Sequence, residues 1–247
     1  MEPLEFVGRS ILPALVMWLA APCLAQVQVN LFNDARVEAG TLERARQEAD
    51  RILDSAGVHV EWCDCKPSKS FDEACFPSGP GTLQLRLLSA EAEAKFRGIA
   101  YGFALPKKSP VFGLFAAVFP SRVFGLSTRN KIDAGMVMGH VIVHEIGHLL
   151  LGANEHAVDG IMKAGWEMED LRRLRCGTLL FLPKQAEIMR RNVDERRAEQ
   201  LAMRHGQSQT VGSVPRDRQG NNDSGVPAND SSIRTSSIAF APSTPGK

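Results

Sequence analysis

The chain has 247 residues, 44% of them apolar and 23% charged, with a formal net charge of +1. That is enough apolar material for one sizeable core. The charge balance leaves no global basic field that would favour nucleic acid or an anionic membrane surface, so a charged partner must be recognised locally.

In chain order, Arg9 precedes an apolar stretch from Ile11 to Leu24, and Ala25 follows with Cys23 two residues before it. A charged start, an apolar middle and a small-residue end read as a secretory signal, with cleavage expected after Ala25. The stretch is short for a transmembrane helix, and Pro22 directly before Cys23 argues against lipid attachment. A cleaved signal is therefore expected over a retained anchor. The expectation is a secreted or periplasmic protein with no stable membrane insertion after cleavage.

Val27, Val29 and Leu31 alternate with Gln28 and Asn30, which predicts a strand ending at Asn33-Asp34. A helical pattern from Glu38 to Ala56 closes on Gly57, and Val58, Val60 and Trp62 alternate again. Strand, helix, strand favours a parallel pair with a crossover helix. Cys63, Cys65 and Cys75 follow in a loop marked by Pro67 and Pro77. In an exported chain a disulfide between Cys75 and one of the other two is expected.

Thr82–Leu88, Ile99–Leu105 and Phe115–Phe124 are further strand candidates, the second containing the only tyrosine, Tyr101. Residues 130–151 read as a helix with Asp133 near its start, where a carboxylate is favourable. Helical patterns return at 166–175 and 183–204, the latter densely charged, with Arg190, Arg191, Arg196 and Arg197 read as a solvated face. From Gly206 to Lys247 the composition is too polar to build a core, and disorder is expected. The organisation is thus 1–25 signal, 26–205 one domain and 206–247 tail, without internal repeats.

The chemistry concentrates between His140 and Trp166, which holds four of the six histidines. His144, Glu145 and His148 form an HExxH motif inside an apolar run. On a helix two histidines four apart share one face and can ligate one Zn2+ at about 2.0–2.1 Å, while the intervening glutamate can take a proton from a zinc-activated water. His140 lies roughly 12 Å along the axis from His148 and cannot join them. His59 and His140 are expected to be structural, and Tyr101 a sheet residue rather than a catalytic donor.

A third ligand must come from beyond the helix. Gly152 can end the helix and turn the chain back, bringing His156 onto the returning segment, with Gly160-Ile161-Met162 six residues on. Here the sequence resembles the metzincin zinc endopeptidases, whose pattern is HExxHxxGxxH followed by a turn with a methionine beneath the metal. The family's glycine and third-histidine positions are Leu151 and Asn154 in this chain, so Gly152 is displaced by one residue and His156 by two.

The resemblance implies an α+β zincin fold: a small twisted mixed sheet with a crossover helix and an HExxH helix, followed by a helical C-terminal part. It also implies zinc held by His144, His148 and His156, Glu145 as general base, and Met162 as the floor of the site. The implied partner is a peptide or protein substrate adding a strand to a sheet edge, and the implied activity is endopeptidase. Two other readings are carried. One is a zincin with an acidic third ligand, from Asp159, Glu167 or Glu169. The other is a secreted zinc-binding module that does not cut.

Overall fold

The computed structural model describes residues 25–66, 75, 79–106, 114–152 and 156–210. The predicted signal up to Leu24, Asn154 and Glu155, and the predicted tail beyond Thr210 lie outside the described residues.

Eleven elements are described in chain order. They begin β1 (Ala25–Asn33), α1 (Ala39–Ser55), β2 (Val58–Cys65), β3 (Thr82–Leu87) and α2 (Ala90–Glu93). They continue β4 (Gly102–Leu105), β5 (Phe115–Val118), α3 (Pro120–Asn130), α4 (Ala134–Leu151), α5 (Met168–Arg175) and α6 (Pro183–Thr210). The strands form one mixed sheet in the order β2-β1-β3-β5-β4. β1 runs parallel to both β2 and β3, β3 runs parallel to β5, and β4 pairs antiparallel with β5. The expected parallel pair across α1 is therefore present, and β4 is an antiparallel edge.

The core follows from the period-two pattern. Val27, Val29 and Leu31 are at most 1% exposed, while Gln26 on the other face is open. They share one core cluster with Ala45, Ala49, Ile52 and Leu53 of α1 and with the apolar residues of α4 from Val137 to Leu151. Two glycines allow α1 and α4 to meet closely. A Cβ at Gly139 would stand 2.6 Å from the Ala45 carbonyl, and one at Gly135 2.6 Å from the Arg44 Cβ. Asp133 caps α4, accepting the Met136 amide at 2.9 Å.

Three expectations need correction. The run Phe115–Phe124 is a strand only to Val118, and α3 begins at Pro120. Proline at a first helical position loses no internal hydrogen bond and brings a preset φ. The motif helix starts at Ala134 rather than residue 130, because Lys131 adopts a left-handed conformation (φ 54°) that ends α3. The arginines of α6 are not one solvated face. Arg196 is 1% exposed and donates to the carbonyls of Leu149 (2.5 Å) and Pro80 (3.0 Å), and Arg190 donates to Ala56 (2.8 Å). With Asn192 donating to Leu150 at 2.7 Å, α6 caps the C-terminal carbonyls of α4.

Smaller differences concern boundaries. β4 starts at Gly102 rather than residue 99, α5 starts at Met168, and α6 continues through residues 206–210, where composition predicts tail. The disulfide joins Cys65 to Cys75, and Cys63 remains a partly buried thiol.

Candidate metal centre

α4 presents its motif into the interior: His144, Glu145 and His148 are all fully buried. The Nε2 atoms of His144 and His148 face one another at 3.0 Å. Two nitrogens each about 2.0–2.1 Å from a tetrahedral zinc stand about 3.4 Å apart, so the pair is spaced for one ion. His144 is locked in orientation by Nδ1–H donating to the Ile161 carbonyl at 2.7 Å, which leaves its Nε2 lone pair pointing at the cluster.

After Leu151 the chain leaves the helix through Gly152, at φ 109° and ψ −174°, a region open to glycine and strained for other residues. His156 then returns to the site. Its ring centroid lies 4.7 Å from that of His148 and 5.5 Å from that of His144. One ligand atom from each of the three histidines falls within 4.8 Å of the others, a group that could hold a metal ion. His156 itself is exposed.

A turn at residues 160–163 meets the site through His144 and through the segment after His156. Gly160, at φ 79°, has room for no side chain, since a Cβ would meet the Leu180 carbonyl at 2.8 Å. The Ala157 amide donates to the Met162 carbonyl at 2.9 Å, which ties the segment after His156 to this turn. Met162 is fully buried against Gly147 of the motif helix, where a Cβ would stand 2.5 Å from the methionine sulfur. Trp166 donates Nε1–H to the same Ile161 carbonyl that receives His144.

The electrostatics suit a cation that binds neutral imidazoles. Burial pushes His144 well below the ordinary histidine value, and the charge of its neighbours acts in the same direction. Burial likewise lowers His148 to about 3 and also lowers His156. Three histidines kept unprotonated, with lone pairs converging and no acidic residue in the set, form a donor group suited to Zn2+.

The acidic alternatives are engaged elsewhere. Asp159 pairs with Arg173 at 2.5 Å, Glu169 with Arg172 at 3.0 Å, and Glu167 with Lys163 at 3.5 Å while capping α5. None belongs to the histidine cluster. His140 bonds the Met136 carbonyl at 2.9 Å, lies 3.6 Å from Glu48 and packs edge-on against Trp166. It is a core residue. His59 is exposed beside Asp54.

Glu145 lies against the sheet edge. A Cβ at Gly102, the first residue of β4, would meet Glu145 Oε1 at 2.8 Å. The glycine thus lets the edge strand approach the carboxylate directly, a contact that sequence reasoning missed. Tyr101, one residue earlier, is 5% exposed, with burial raising its phenol above the ordinary value. It lines a cleft against α3.

No family model matches the chain, and no curated protein matches it. Among solved structures it is similar to a zinc-dependent peptidase from Methanocorpusculum labreanum, at 19% identity and a TM-score of 0.45, over 65% of this chain and 99% of that one. It is also similar to an archaemetzincin from Methanopyrus kandleri, at 18% identity and a TM-score of 0.41, over 70% of this chain and 98% of that one. The chemical reading of the centre rests on its own side chains: three neutral histidines on one point, with a buried glutamate beside the first.

Proposed function

We propose that the chain is an exported zinc endopeptidase of the metzincin kind, with His144, His148 and His156 as metal ligands and Glu145 as general base. The observation that carries this reading is the convergence of the three histidines around a helix whose glutamate lies against the edge strand β4. A Zn2+ bound there would polarise a peptide carbonyl and lower the pKa of a water molecule.

Glu145 supplies what a structural zinc site does not require. It takes a proton from the attacking water and delivers it to the leaving amine, so one carboxylate serves as base and then acid. His144 and His148 are oriented by the helix, and His144 also by the Ile161 carbonyl. Met162 fills the space under the rings without ligating. β4, at the edge of the sheet among the described residues, offers backbone groups to an extended peptide, which would be carried past Gly102 and Glu145. Export is supported by the N-terminal sequence pattern alone.

The test is hydrolysis of casein by the zinc-loaded protein. Activity is expected to vanish with a chelator and return with Zn2+. Glu145→Ala is expected to retain one zinc per chain and to lose on the order of 10²–10⁴ in rate, the usual share of a general base. A protein that binds zinc stoichiometrically and leaves casein intact would be a binding module rather than a peptidase.

A further inference from the structure

A cleft of about 580 Å³ opens between the lead-in to β4 and α3, within the size range of ligand pockets. One wall is apolar: Ile99, 58% exposed, and the buried ring of Tyr101. Its floor is already neutral. The Glu93 carboxylate pairs with Arg122 at 3.1 Å and accepts the Ser121 amide at 3.2 Å. Arg122 also donates to the carbonyls of Ala100 and Phe96, both at 2.7 Å, and lies over the Phe119 ring.

Arg129 is different. Its guanidinium is exposed and folds back along α3 over Gly125, where a Cβ would stand 3.2 Å from Nη1, and it lines the cleft with Tyr101. No carboxylate among the described residues pairs with it. The cleft therefore holds an exposed cation beside an apolar wall. That wall runs straight into Gly102, which abuts Glu145.

We propose that this cleft recognises a carboxylate of the peptide substrate, bound by Arg129 with its aliphatic stem against Ile99 and Tyr101. The inference rests on the peptidase reading and gives it a specificity. Arginine's planar fork suits a carboxylate bidentately, and an acidic side chain and a chain terminus offer the same group. Arg129 is a recognition residue and takes no part in bond cleavage.

Binding without turnover separates this idea from the peptidase reading. Zinc-loaded Glu145→Ala protein would be titrated with fluorescent peptides in matched sets. The sets place Glu or Gln at each position in turn, with the C-terminus free or amidated, and anisotropy reports Kd. One acidic position, or the free terminus, is expected to bind at least tenfold tighter than its neutral match. Which arm shows the effect identifies the source of the carboxylate. The ratio is expected to fall to about one in Arg129→Gln, to be intermediate in Arg129→Lys, and to reverse toward a Lys-bearing peptide in Arg129→Glu. Peptides that bind with no acidic preference, or a preference that survives Arg129→Gln, would overturn the assignment, as would no peptide binding at all. An Arg129-dependent preference in a protein whose wild type leaves casein intact would sink the peptidase reading while the recognition stands.

Discussion

His144 and His148 project from one buried helix, whereas His156 arrives on an irregular segment and stands exposed. The first pair is held by the intrinsic geometry of a helix, with burial on every side. The third ligand is held through the Ala157–Met162 hydrogen bond and the turn beneath it. A metal centre can thus combine a rigid half, costly to disturb, with a delivered half whose position depends on a few backbone contacts. Each half makes its own experimental demands.

The largest effect is on metal content, for which both halves are needed. His148→Ala and His156→Ala are each expected to abolish stoichiometric zinc, a loss beyond the roughly 10–100-fold that substitution of outer-shell partners costs. Asp159→Ala, Glu167→Ala and Glu169→Ala are expected to keep it. Zinc retained in His156→Ala would remove the delivered half from the centre altogether.

The rigid half also predicts a pH dependence of stability. His140, fully buried behind the site, is lowered to about 4, chiefly by burial. The unfolded histidine titrates near 6.5, so between pH 6.5 and about 4 the unfolded chain binds the extra proton and the folded chain does not. Stability contributed here is present above pH 6.5 and lost as pH falls through that window, by about 3 kcal/mol when the whole shift is spent. Urea denaturation of metal-free protein at pH 7 and pH 4.5 checks it. His140→Asn should flatten this part of the profile, and an unchanged slope would place the proton elsewhere.

The smallest effect concerns the seam between the two halves. Gly147→Ala would force a methyl toward the Met162 sulfur and the Phe181 ring, where a Cβ has 2.5 Å and 3.0 Å. Overpacking of this kind costs about 1–3 kcal/mol. Thermal denaturation should show the loss, accompanied by weaker zinc binding as the floor shifts. A variant as stable as wild type would mean that the methionine floor yields freely.

The two halves were also unequally legible in sequence. The helical pair was readable because spacing four and an apolar context leave a buried helix few alternatives. The crossover helix and the Cys75 disulfide followed from equally local patterns. His156 was named from the glycine stop and the resemblance although it stands two residues from the family's position, and the support around it involves Gly160 and the Leu180 carbonyl, partners apart in the chain. α3 was lost inside an apolar run although Pro120 marked its start. The charged neighbours of Arg196 point to a surface position, which its burial contradicts. Yet Met189, Val193 and Arg196 fall at helical spacing on one buried face, and that register was the available signal. The meeting of Arg129 and Tyr101 in one cleft had no sequence signature, since it depends on how α3 lies against the lead-in to β4.

The caps that α6 places on α4 bear on the order in which the centre is made. Leu149 and Leu150, directly after the second motif histidine, receive hydrogen bonds from residues 47 and 42 positions later in the chain. A ribosome therefore releases the complete HExxH helix well before the groups that seal its end exist. Until Arg196 and Asn192 arrive, the helix end that precedes the turn to His156 lacks these caps. Assembly of the metal centre is thereby coupled to completion of the last helix, and a chain cut short before residue 192 would carry the entire motif without the means to finish it.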